Sequence, residues 1–214
     1  MDSYENGLHS EVIDIDQENV ECHELANSDY PVEGAAGGLV NGQPMICGGF
    51  YESPLTGGSN KCFIPGENQP ISMEYKRSYP ASISISRDKV WITGGYTSKF
   101  STEIITKTEA TVGPTLAEGM YWHCSGHINN THVILMGGKE NGFRPYIFNL
   151  NNFDELFFGS ELSFTRKGCT ASQIIHPNGT AFIIIIGPND SSEILNTNNI
   201  FGEWTTGMIE IIHH

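Results

Sequence analysis

Apolar residues in this chain come in short runs that end at glycine. Four of them stand out: PMICGG (44–49), VWITGG (90–95), HVILMGG (132–138) and AFIIIIGP (181–188). Each is rich in β-branched and large apolar residues and is too short for an amphipathic helix, so each predicts a buried strand. Segments that read as single strands flank each run. Before the second lies PASISIS (80–86), and after it come STEIITK (101–107) and EATVGPTL (109–116). Turn signals punctuate the pattern at Asn41-Gly42, Arg87-Asp88, Asn129-Asn130 and Pro177-Asn178-Gly179. Asn-Gly between β-branched runs is a hairpin signal, because both residues tolerate positive φ. No 11-residue window carries helical periodicity, and the chain is expected to be all-β.

The first glycines of the four runs, Gly48, Gly94, Gly137 and Gly187, lie 46, 43 and 50 residues apart. A period of about 40–50 residues with four strands in each unit is the mark of a β-propeller. The units predict blades over residues 34–77, 78–116, 121–162 and 167–207. Two earlier segments, SEVIDID (10–16) and NVECHEL (19–25), read as the third and fourth strands of a preceding half blade. The expected organisation is a tail at 1–9, a propeller domain at 10–207, and a tail or single further strand at 208–214. Closed propellers take about four to eight full blades, so four and a half imply an incomplete or truncated ring. The paired glycines Gly48-Gly49, Gly94-Gly95 and Gly137-Gly138, with Gly187, are expected where the backbone turns sharply and neighbouring strands crowd it.

Charge narrows the choice of partner. The 214 residues carry a net charge of −14, and residues 1–60 hold eleven acids with no lysine or arginine. Nucleic acid, whose binding needs a basic face, is excluded as a partner. No apolar run reaches the 18 or more residues of a membrane span. The first residues have neither the basic nor the apolar region of a signal peptide. The acidic N-terminal region reads as a solvated surface, with a cation-binding or basic-partner surface as the alternative.

Five cysteines (Cys22, Cys47, Cys62, Cys124, Cys169) admit many two-bridge patterns. The strand reading puts Cys47 and Cys62 on hairpin neighbours. It puts Cys124 and Cys169 in the first strands of consecutive blades. Either pair could meet disulfide geometry; buried free thiols of a cytosolic protein are the alternative. Cys22 is the odd one. Asn129, Asn178 and Asn189 head glycosylation sequons, all at predicted turns.

The double glycines, together with Met73 and Arg77, then Leu162 and Arg166, and late Trp204, resemble the Kelch repeat over roughly residues 34–207. Met73/Arg77 and Leu162/Arg166 match its apolar-x-x-x-Arg segment. The fourth unit departs from it, with Gly187-Pro188 in place of the pair. A cysteine before the first glycine pair and another in the next strand are similar to the extracellular, cysteine-containing branch of Kelch-like proteins. That resemblance implies disulfides, secretion and a non-catalytic module that binds a protein, or a glycan, through its loops. Residues 50–60 and 138–143 are the candidate contact loops. A cytoplasmic substrate-recognition subunit of a ubiquitin ligase is the alternative the same family offers.

Chemistry has few candidates. The segment Tyr121-Trp122-His123-Cys124 with His127 is similar to a feature of the copper oxidase relatives of the Kelch fold, the galactose-oxidase type, but the rest of that ligand set is missing. Asp14 and Asp16 are too few for calcium. Trp91, Phe63 and Phe148 are expected to fill the core between blades. No G-x-S-x-G, H-E-x-x-H, Walker loop or C-x-x-C occurs. No catalytic residue, metal or cofactor is expected.

Overall fold

The computed structural model describes residues 10–13, 22–25, 33–50, 58–138, 144–153, 156–187, 192–199 and 202–207. Residues Asn189, Asp14 and Asp16, most of both candidate contact loops, and both tails lie outside this set. Among the described residues are eighteen strands and one 3₁₀ turn, at Thr197–Asn199. β1 (Ser10–Ile13) pairs antiparallel with β2 (Cys22–Leu25) as a two-stranded sheet. The remaining strands form four antiparallel sheets of four. The first holds β3 (Glu33–Val40), β4 (Gln43–Phe50), β5 (Ser59–Phe63) and β6 (Ile71–Arg77). The second holds β7 (Ala81–Ser86), β8 (Lys89–Thr93), β9 (Thr102–Ile105) and β10 (Ala110–Val112). The third holds β11 (His123–His127), β12 (His132–Gly137), β13 (Tyr146–Asn149) and β14 (Leu156–Phe158). The fourth holds β15 (Thr170–Ile175), β16 (Ala181–Ile186), β17 (Ser192–Asn196) and β18 (Thr205–Gly207).

The sheets pack face to face in chain order, as blades of a β-propeller. One apolar cluster joins blades one and two through Met45, Cys62, Val90 and Ile92. A second joins blades two and three through Trp91, Leu135 and Phe148, and a third joins three and four through Ile134, Met136, Ile183 and Ile185. The second strands of blades two and three each sit between two such clusters, so VWIT and VILMG are buried on both faces and read as unbroken apolar runs. Trp91 and Phe148 meet edge to face across their junction, centroids 5.0 Å apart, as the sequence led one to expect; Phe63 is only half-buried. First strands line up beside one another. Ser82 Oγ donates to the Gly37 carbonyl, Ser125 Oγ to that of Ser82, and Gln173 Nε2 to that of Ile128. On the far side of the fourth blade, Ile174 is 46% exposed and Ile186 38%, whereas their counterparts Ile128 and Met136, covered by the next blade, are at 1% and 0%.

Two junctions carry the same buried ion pair. Arg77, at the end of the first blade, donates Nε and Nη2 to Glu103 Oε2 of the second at 3.2 and 2.9 Å. Its Nη1 reaches the carbonyls of Gly94 and Ser101 at 2.6 and 2.9 Å, and the other carboxylate oxygen accepts the Glu74 N–H at 2.7 Å. Arg166 repeats the geometry on Glu193, whose second oxygen accepts the Ser163 N–H. At the middle junction, Met120 and Tyr146 occupy the arginine and glutamate positions, both buried in the apolar cluster. Register makes the correspondence secure: Glu103, Glu193 and Tyr146 each lie opposite the residue two before the glycine (Ile92, Ile185 and Leu135).

Candidate functional site

Every blade begins and ends its strands at the same two levels. At one end, here the glycine end, second strands finish and fourth strands hand over to the next blade. At the opposite, hairpin end lie the turns between first and second strands. The glycine pairs behave as expected in three blades, with positive φ at Gly48, Gly49, Gly94, Gly95, Gly137 and Gly138. At Gly94 a side chain would run into the Met120 carbonyl as well. Gly187 differs: its φ is ordinary, and it is there because a Cβ would lie 2.8 Å from Arg166 Cδ.

The handover between blades places one residue at or just before the start of each first strand in the left-handed region: Gly34 (φ 62°), Tyr79 (53°), Trp122 (57°) and Gly168 (69°). A row of backbone hydrogen bonds links them. Tyr79 N–H donates to the Gly34 carbonyl at 2.7 Å, Trp122 to Tyr79 at 3.0 Å and Gly168 to Trp122 at 2.8 Å. For this reason the first strands of blades three and four begin only after these residues, at His123 and Thr170. Glycine enters this region freely, but an aromatic residue does so only under compulsion, at a cost of about 1–3 kcal/mol.

The two strained rings head an aromatic row. Phe50 meets Tyr79 at 5.3 Å between centroids, Tyr79 meets Trp122 at 4.7 Å, Trp122 meets Tyr121 at 5.4 Å and Tyr121 meets Tyr96 at 5.1 Å. Gly34 makes room for it, since a Cβ there would stand 2.6 Å from the Tyr79 ring. Phe50 and Tyr121 are buried, while Tyr79, Trp122 and Tyr96 are half-exposed. Lysines lie over the rings. Lys167 Nζ is 3.6 Å from the Trp122 centroid, and Lys99 Nζ is 5.1 Å from that of Tyr121. The Tyr79 hydroxyl is pushed above its usual pKa by burial and by nearby Glu33, with Trp122 pulling the other way.

The histidines behind this row are structural. His123 is buried, its Nε2 2.8 Å from Thr93 Oγ1; burial, then the charge of Arg77, push its pKa down to about 3, so the ring is neutral. His127 reaches a different group, the Ser84 carbonyl, at 2.9 Å. Each is committed to blade two. No group of three or more metal-binding side chains occurs among the described residues.

Two disulfides are formed. Cys47–Cys62 crosses neighbouring strands of blade one with Cα atoms 4.0 Å apart, and Cys124–Cys169 ties blade three to blade four at 5.5 Å. Cys169 sits just ahead of β15, not in it; by register the counterpart of Cys124 is Thr170. Asn129 and Asn178 are exposed on adjacent hairpins, at the end opposite the aromatic row. Trp204 is buried, donating to the Ser160 carbonyl at 3.0 Å across the blade junction.

Sheet number, order and packing define an all-β protein of the β-propeller class. No family model matches the chain, and no curated protein does. Among solved structures it is similar to that of YjhT, with a TM-score of 0.65 and 10% identity, covering 86% of this chain and 67% of that one. At that identity the likeness carries the fold alone. No helix among the described residues is long and apolar enough to cross a membrane.

Proposed function

We propose that this chain is a non-catalytic, protein-binding propeller of the secreted Kelch-like kind, and that it engages its partner at the glycine end. The observation that carries the reading is the pair Tyr79 and Trp122. Both keep large half-exposed rings in a backbone conformation that their counterparts satisfy with glycine. Strain held at an exposed aromatic surface has a use if the surface binds something. Two disulfides suit an oxidising compartment. The sequons fit the same picture. Asn129 Oδ1 accepts the N–H groups of Thr131 and His132, and Asn178 Oδ1 that of Thr180, which leaves each exposed side-chain nitrogen facing solvent at the hairpin end. Glycans there would leave the glycine end open.

Trp122→Gly and Tyr79→Gly test the site without disturbing its backbone, because glycine already serves at Gly34 and Gly168. Expressed through the secretory route and cross-linked to cell-surface proteins, the parent chain and an Asn178→Gln control should recover the same partner. The two glycine variants should lose it. Equal recovery by all four would overturn the assignment of this face.

A further inference from the structure

The aromatic row already shows what kind of group its faces hold. A ring carries negative charge on its face, and an ammonium placed within about 6 Å of the centroid is attracted to it. Lys167 occupies that position on Trp122 at 3.6 Å, and Lys99 does so on Tyr121 and, at 5.9 Å, on Tyr96. Lys167 is an exposed side chain, so its ammonium leaves the ring for water at little cost. Beyond the two lysines on the rings, Glu33 acts on Tyr79 and the chain as a whole carries −14, so the long-range field favours a cationic partner. An anionic ligand would work against that field.

We propose that the glycine end is a cation seat, in which Lys167 holds the place that a lysine, arginine or quaternary ammonium group of a basic partner protein takes on Trp122 and Tyr79. The proposal rests on the glycine end being the binding face and adds the chemistry of what binds. It makes an unusual claim about sign. Removing Lys167, a positive charge in the site, strengthens binding, because the partner's cation no longer competes with it. For an acidic partner the same substitution would weaken binding.

Trp122 is the one half-exposed tryptophan among Trp91, Trp122 and Trp204, so its fluorescence reports on the seat. Tetramethylammonium chloride, titrated against sodium chloride at equal ionic strength, should change that emission saturably; a short oligolysine peptide should do the same at lower concentration. Lys167→Ala should tighten both roughly two- to fivefold, the range of an exposed cation–π contact. Tyr79→Gly should abolish both while leaving the unfolding midpoint near that of the parent. Weaker oligolysine binding by Lys167→Ala, or saturable binding of oligoglutamate in its place, would overturn the cation seat but leave the glycine end as the binding face. Absence of any response to these probes, with partner cross-linking still lost in Trp122→Gly, would also defeat the cation seat alone.

Discussion

The ion pair between Arg77 and Glu103 can be tested with a replacement that the chain itself supplies. Both groups are buried, and Arg77 spends its donors on one carboxylate oxygen and two carbonyls. Two unit charges at about 4 Å attract by about 4 kcal/mol at an effective dielectric of 20. Desolvating both ions offsets much of this, so the pair's net contribution is small while the loss of one partner is severe. Glu103→Gln should therefore destabilise by about 3–5 kcal/mol, since it strands a buried guanidinium. Arg77→Met should cost a similar amount by stranding the carboxylate. Arg77→Met with Glu103→Tyr imports the Met120–Tyr146 pair of the middle junction. The double variant should return to within about 1–2 kcal/mol of the parent, the remainder coming from the Gly94 and Ser101 carbonyls that lose a donor. Urea unfolding of the four proteins gives the coupling energy. Additive losses, with the double variant as unstable as the sum of the singles, would refute the view that the junctions are interchangeable.

Four further outcomes are expected. His123 is held neutral with a pKa of about 3, below the unfolded value near 6.5, so its contribution is intact above pH 6.5 and is lost as pH falls toward 3. That amounts to about 1.4 kcal/mol per pH unit, and His123→Gln should flatten the stability profile between pH 6.5 and 4.5 relative to the parent. The denatured, unreduced chain should show one reactive thiol of five. Removing the bridge across 15 residues should cost about 3 kcal/mol, and the one across 45 about 4, by thermal unfolding. Gly94→Ala should destabilise by about 2 kcal/mol or more, since it forces an L-residue to φ 59° against the Met120 carbonyl; Gly66→Ala, at φ 86° with open space around it, should cost about 1 kcal/mol.

Much of the scaffold was legible because its signals are local. Glycine after an apolar run, Asn-Gly turns and the 43- to 50-residue period each depend on a few neighbours, and they place the sixteen strands of four blades within a few residues. Errors fell where backbone geometry crosses from one blade to the next. β11 begins only at His123 because Trp122 turns left-handed to accept and donate in the row linking the blades. The fourth strand of blade two is only Ala110–Val112, not 109–116, since Pro114 lacks the N–H a ladder needs.

The site was less visible. Tyr121-Trp122-His123-Cys124 stood out, but for its histidine, whereas the ring beside it carries the interest. Tyr79 in Arg-Ser-Tyr-Pro carried no warning on its own. Only aligned with Gly34, Trp122 and Gly168, 45, 43 and 46 residues apart, does it fall at a glycine position. Likewise Glu103 and Glu193, in TEII and SEIL, gain meaning only opposite Arg77 and Arg166, which lie 26 and 27 residues earlier.

Local sequence carries the repeat: strand-forming runs, their punctuation and the class of fold, all properties of short stretches of backbone. Tertiary structure decided which charges are buried together, which cysteine meets which across a junction, and where five rings from three blades meet. Those contacts join residues far apart in the chain, and their energies depend on burial and distance, which no local pattern records.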